Sequence, residues 1–227
     1  MTLFFSCWQF WLTAPIAYLL GCSNGSVLVS KYILHDDVRN HGSGNAGLTN
    51  FHRVFGAKLV PLVILSDVLK AVLALLIGWG LSRTLGADVL ASAGASQEIA
   101  RLTFQYWAAI FCLLGHMFPC MFHFRGGKGI LSGGTVALMV DWRIGLLVWG
   151  AFLILVIATR YVSLGSIAAG ALFPVGTALF HPGCGFLLLM GFILGGMVIW
   201  GHRANIVRLI HGNENRFTLH RDKGGTT

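Results

Sequence analysis

An all-α integral membrane protein, a bundle of about seven transmembrane helices, is the fold this sequence predicts. Three observations predict it. Of 227 residues, 56% are hydrophobic and 11% charged, with a mean hydropathy of +0.74; soluble domains carry roughly 25% charged residues. The apolar residues come in long runs without the alternation of a membrane strand, which leaves helices as the spanning elements. The polar residues gather in three glycine-rich stretches, 42–56, 115–129 and 202–214.

Taken in order, crossings are expected near 5–30, 58–82, 102–122, 130–142, 144–159, 164–181 and 184–201. Each approaches the roughly 20 apolar residues a span needs, the shorter ones ending in side chains that snorkel. The first run is too long and lacks the basic start of a cleavable signal peptide, so it reads as a retained anchor. Asp141-Trp142-Arg143 divides the fourth run from the fifth. One continuous helix would bury that charged pair at mid-bilayer, so a tight turn at the far surface is expected. Segment 83–100 reads as a polar, featureless connector, and 213–227 as a charged, frayed tail. No repeat or soluble domain interrupts the chain, and residues 1–227 form a single membrane domain.

The net charge of +8 is topological and does not mark a nucleic-acid binder. Seven crossings put Lys31, Arg39, Arg53, Lys58, Arg125, Lys128, Arg160, Arg203, Arg208, Arg216, Arg221 and Lys223 on one side. Only Arg83, Arg101 and Arg143 fall on the other. The positive-inside rule makes the first side cytoplasmic, with the N-terminus outside and the C-terminus inside. All three polar stretches then share the cytoplasmic face. The five cysteines lack CxxC spacing and read as small buried residues, with no disulfide framework or metal site.

The stretches carry the chemistry. In the first, Gly42, Gly44 and Gly47 permit positive φ, so that backbone N–H groups can converge on an anion. Ser43 and Thr49 add hydroxyl donors, and Arg53 a planar fork suited to phosphate. Read alone, the segment serves equally as a glycine-rich turn with a surface arginine. The second ends Phe124-Arg125-Gly126-Gly127-Lys128-Gly129 and runs into a helix, combining free amides, a helix dipole and a cation in a phosphate cradle. It is not a Walker A loop, since Phe122 stands at the leading glycine and Gly129 replaces the magnesium-binding hydroxyl. In the third, His202, Asn205 and Arg208 recur at helical spacing on one face, where His202 either relays a proton or serves as a structural interfacial residue. Glu214 is expected to pair with an arginine and hold the tail. Ser163 and Ser166 stand three apart at the start of the sixth crossing, where they are expected to cap a helix facing the same pocket. Asp67 and Lys70, three apart within the second crossing, read either as functional intramembrane charges or as a mutually neutralised structural pair, and are placed outside the immediate site.

At these residues the chain resembles the bacterial acyl-phosphate:glycerol-3-phosphate acyltransferases, the PlsY family. The matching blocks are GSGNxGxTNxxRxxG at 42–56, LxDxxK at 65–70, GHxFPxxxxFxGGKG at 115–129, TRYVSLGSI at 159–167 and HRxNIxRLxxGxE at 202–214. The resemblance implies a seven-helix enzyme that moves a fatty acyl group from acyl phosphate to the 1-hydroxyl of glycerol 3-phosphate, releasing lysophosphatidic acid and phosphate. It implies catalytic roles for Ser43, Arg53, Lys128, His202 and Asn205. Substrate phosphate would be held by Gly42, Gly44, Asn45, Thr49, Gly126, Gly127, Gly129, Ser163 and Ser166. The partners would be glycerol 3-phosphate, a long-chain acyl phosphate and membrane lipid, in a bacterial inner membrane, with no cofactor or metal. The chain departs from the family at Gly21-Cys22-Ser23-Asn24-Gly25-Ser26, Ala71 and Arg125. A transporter of phosphorylated anions would place its polar residues near the midplane, often within repeats, and this chain does neither.

Overall fold

The structure, a computed structural model, describes residues 2–217, and every regular element among them is helical. The chain runs through α1 (Trp8–Cys22), α2 (Gly25–Tyr32), α3 (Leu48–Phe55), α4 (Val60–Ser82), α5 (Ala87–Ala93), α6 (Gln97–Met117), α7 (Ile130–Val140), α8 (Trp142–Thr159), α9 (Val162–Phe180), α10 (Gly185–Gly201) and α11 (Arg203–Ile210). Among the described residues, α4, the segment Gln97–Phe122, α8 and α9 are long and apolar enough to cross a membrane. The bent pairs α1–α2 and α10–α11 bring the number to six, and α7 is an apolar helix of 11 residues.

Helix α6 forms the centre, packed against α1, α4, α7 and α10. Its window is 67% buried, against 17% for α8, which explains why its hydropathy is lower: it faces protein where α8 faces outward. The α1–α6 contact is close enough that a Cβ on Gly21 would strike the Cys112 carbonyl, and one on Gly115 the Tyr18 carbonyl. Helices α7 and α8 meet at the single residue Asp141, whose carboxylate accepts the Arg143 N–H at 2.9 Å and caps α8. Trp149 Nε1–H then donates to the Gly134 carbonyl at 3.1 Å, pairing the two helices back to back, as the expected turn requires.

Four local expectations change. The first crossing is not continuous: it bends by 43° after Cys22, where Asn24 accepts the Val27 N–H at 3.1 Å and starts a new helix. The connector 83–100 is not featureless. It contains α5, ended by Gly94 at φ +58°, with Val89, Leu90 and Ala93 packed on the Phe4–Phe104 cluster. The tail is not frayed where it is described, because the Phe217 N–H donates to the Arg160 carbonyl at 2.7 Å; residues 218–227 lie outside the described residues. Ser163 and Ser166 do not cap α9, whose N-cap Tyr161 makes no side-chain cap bond.

Candidate active site

The three polar stretches converge at one end of the bundle around a cavity of about 210 Å³. Its wall contains Ser43, Asn45, Thr49, Arg53, Lys128, Gly129, Ser163, Ser166, His202 and Asn205 from the sequence-based set. Gly44, Gly126 and Gly127 instead line a neighbouring cavity of about 300 Å³, which shares Ser43, Asn45, Lys128 and Arg208 with the first. Gly42 lines neither.

The first stretch is shaped by Asn50, a motif residue to which the sequence assigns no role of its own. Its amide donates to the Val38 and His41 carbonyls, both at 3.1 Å, while its oxygen accepts the Ser43 N–H at 2.9 Å. One buried side chain therefore folds the loop onto α3 and presents the Ser43 hydroxyl and, from α3, Thr49 and Arg53. Arg53 has no hydrogen-bond or ion-pair partner among the described residues, so its fork is free for a ligand. Arg39 ties this loop to the second stretch: its guanidinium donates to the Phe122 and Arg125 carbonyls at 2.7 and 3.1 Å, and Asp37 neutralises it at 2.6 Å.

The second stretch corrects one expectation. The amides of Gly126 and Gly127 do not point at an anion, because they donate to the Met117 and His116 carbonyls, both at 3.1 Å. Their glycine identity answers to space: a Cβ on Gly126 would overlap the His116 carbonyl, and one on Gly127 would overlap His116 Nε2. What this loop offers the cavity is Lys128 and the unpaired amides at the start of α7, entered through Gly129 at φ +79°. Lys128 is mostly buried, and burial, with Arg208 and Arg53 nearby, pulls its pKa down from 10.5 to about 8.

The third stretch supplies a hydrogen-bonded chain. Lys128 donates to Asn205 Oδ1; Asn205 donates to Glu214 Oε1 at 2.7 Å, as does Ser163 at 3.0 Å. Arg208 grips the other Glu214 oxygen at 2.7 Å. Burial opposes the Glu214 charge, but these donors outweigh it and hold its pKa below the usual carboxylate range. Glu214 thus pairs with an arginine as expected, and it also aligns three cavity residues. Ser166 donates to the Val162 carbonyl at 2.8 Å, back-bonded within α9. His202 donates from Nδ1 to the Val198 carbonyl at 2.8 Å, since a carbonyl can only accept. Its neutral ring then presents Nε2 as an acceptor.

The site accordingly combines Arg53, Lys128 and Arg208 with hydroxyls and an imidazole, against the apolar wall of Leu131, Trp149, Phe152 and Val162. That composition suits a phosphorylated polar substrate meeting a lipid-like one. Among the described residues no group of three His, Cys, Asp or Glu side chains is placed to hold a metal ion. The glycerol-3-phosphate acyltransferase family model matches residues 11–212. This chain belongs to that family. The glycerol-3-phosphate acyltransferase of Thermoanaerobacter sp. (strain X514) is 38% identical over 205 residues, covering 90% of this chain and 94% of the relative. That of Pseudomonas aeruginosa (strain LESB58) is 37% identical over 207 residues, covering 91% and 99%. Two crystal structures of PlsY (YgiH), an integral membrane glycerol 3-phosphate acyltransferase, share the fold. The glycerol 3-phosphate form aligns with a TM-score of 0.76 at 31% identity, covering 92% of this chain and 96% of that one. The lysophosphatidic acid form aligns with a TM-score of 0.73 at 30% identity, covering 93% and 97%. This acyltransferase is thus a helical membrane protein whose polar blocks sit at one end of its bundle. Its cavity includes two groups that the sequence placed outside or omitted, Asp67 and His116.

Proposed function

We propose that this acyltransferase moves a fatty acyl group from acyl phosphate to the 1-hydroxyl of glycerol 3-phosphate, giving lysophosphatidic acid and phosphate. This is the opening acylation of phospholipid synthesis. The observation that carries the reading is one cavity in which Arg53, Lys128 and Arg208 face an apolar wall. Seven crossings, counting α7 as one, would place this end of the bundle in the cytoplasm of a bacterial inner membrane. The N-terminus would then lie outside and the C-terminus inside, the arrangement the distribution of Lys and Arg supports. Glycerol 3-phosphate would enter from the cytoplasm and the acyl donor laterally from lipid.

The roles follow from the chemistry of each group. Arg53 and Lys128 take the substrate phosphates, with the Ser43 and Thr49 hydroxyls and the Asn45 amide as further donors. Gly129 and the first amides of α7 add partial positive charge. Glu214 holds Asn205, Arg208 and Ser163 in place, and Ser166 lines the α9 side. His202 Nε2 accepts from the attacking hydroxyl and aligns it. Acyl phosphate is already activated, so no acyl-enzyme is required. The hydroxyl oxygen bonds to the carbonyl carbon, the carbon–oxygen bond to phosphate breaks, and the hydroxyl proton passes by way of His202 Nε2 to the departing phosphate. Alignment and charge stabilisation supply the acceleration. The test supplies purified protein with glycerol 3-phosphate and either acyl phosphate or acyl-CoA. Lysophosphatidate from the first donor alone is the expected result; product from acyl-CoA alone would replace the donor assignment, and product from neither would end the reading.

A further inference from the structure

The cavity wall includes part of a charged cluster that the roles above leave unused. Asp67, Lys70 and His116 are each at least 97% buried, at relative exposures of 1, 2 and 3%. Lys70 has three ammonium protons and three acceptors: Asp67 Oδ1 at 2.8 Å, the Ser23 carbonyl at 3.2 Å and His116 Nδ1 at 2.7 Å. The Gly25 N–H adds a bond to the same Asp67 oxygen at 3.2 Å. An ammonium only donates, so His116 Nδ1 is the acceptor and the ring carries its own proton on Nε2. The tautomer is thereby set by the α4 pair.

That Nε2–H has no acceptor among the described residues, and His116 lines the cavity. The Nε2 edge of the ring lies along the loop that carries Lys128: a Cβ on Gly127 would collide with Nε2, and one on Gly129 would touch Cδ2 at 3.9 Å. Glycine at 127 keeps a side chain from overlapping this edge. We infer that His116 is a catalytic residue that donates its Nε2–H to the acyl carbonyl oxygen as that oxygen gains negative charge. Lys70 and Asp67 act through it as positioning residues.

The carbonyl oxygen is the partner that fits. Phosphate already has Arg53, Lys128 and Arg208, and a neutral donor adds little beside three cations. In acyl phosphate the carbonyl carbon is one bridging oxygen from phosphorus. A phosphate held at Lys128 therefore sets the carbonyl beside the same loop. A neutral donor locked in one orientation and shielded from water needs no rearrangement when charge develops, which is the condition for transition-state stabilisation. No proton is transferred by His116. The new ester bond forms, the carbon–oxygen bond to phosphate breaks, and the hydroxyl proton departs with phosphate.

The inference rests on the acyl-transfer reading and is tested with the full chain in detergent, glycerol 3-phosphate and acyl phosphate. His116→Phe should lower kcat by about 10²–10³-fold, the effect of losing one oxyanion donor, with both KM values within threefold of wild type. His116→Gln, whose amide reaches the Nε2 position, should exceed His116→Asn, whose amide ends at the Nδ1 position, by about tenfold in kcat. The Gln–Asn comparison decides the matter if the Phe variant does not fold. The neutral double variant Asp67→Asn/Lys70→Met should lower kcat while the KM for glycerol 3-phosphate holds. Equal rates for Gln and Asn, or a higher KM for acyl phosphate at unchanged kcat, would overturn the assignment. An inactive wild type would strike the acyl-transfer reading itself, whereas an active wild type matched by His116→Phe would strike this inference alone.

Discussion

The two glycine-rich loops look alike in composition and are built on different physics. In the loop at 42–56, Gly42 and Gly44 sit at φ +58° and +68°, so glycine is used there for backbone conformation. Asn50 then gathers the loose ends. In the loop at 115–129, Gly126 and Gly127 have ordinary φ and already-bonded amides, and glycine is used there for room beside His116. The first loop serves its cavity with side chains displayed by a turn and a short helix. The second serves it with one lysine, one helix start and the histidine against which Gly127 packs. Glycine content alone therefore does not identify an anion cradle; the hydrogen-bond partner of each amide does.

That contrast can be sharpened by substitution, beginning with the charged group each loop contributes. Arg53→Ala and Lys128→Ala should each cost about 2–4 kcal/mol of transition-state stabilisation, read as kcat/KM for lysophosphatidate formation. A variant with near-wild-type turnover would remove its loop from the site. Next, Gly127→Ala should cost about 1–3 kcal/mol by overpacking, visible as a lower melting temperature in detergent and reduced activity through the displaced His116. Gly44→Ala should be milder, about 1–2 kcal/mol for a left-handed alanine, because its Cβ would meet only the Arg39 carbonyl at 3.5 Å. If Gly44→Ala proved the more damaging of the two, the division between conformation and space would be wrong.

The smallest effect at neutral pH is the titration of Lys128. With its pKa near 8, the empty enzyme loses this cation as pH rises through 8. The kcat/KM for glycerol 3-phosphate should therefore be about tenfold lower at pH 9 than at pH 7. Stability should respond with the opposite sign. The unfolded chain keeps the proton to about 10.4, so between the two pKa values the unfolded state binds more protons and this group makes folding more favourable as pH rises. Lys128→Arg should flatten the alkaline limb of the activity profile; an unchanged limb would assign it to another group.

Much of this was legible beforehand because its causes are local. Ser43, Thr49, Arg53, Lys128, His202 and Asn205 were identifiable as polar residues stranded in an apolar chain, and the structure lines one cavity with them. Asp67 was noticed as an intramembrane charge outside the immediate site; that it lines the cavity beside His116 depends on the packing of two helices. Asn50 was read only as one letter of a motif; a buried asparagine that closes a loop has no local signature beyond the turn around it. Glu214 was read as a tail anchor, while its contacts with Ser163 and Asn205 depend on where α9 and α11 meet.

By itself the sequence determined the membrane helices, since lipid offers the backbone no partner and hydropathy is a sum over neighbours in the chain. It also determined the family and the set of polar residues available for chemistry. Only the tertiary structure decided the bends after Cys22 and Gly201, the use of Gly126 and Gly127 for packing, and the tautomer of His116. Those depend on pairs such as Lys70 with His116, 46 residues apart, and Arg39 with Phe122, 83 apart. A hydrogen bond is set by position and direction in space, and no periodicity along the chain records which distant donor will arrive.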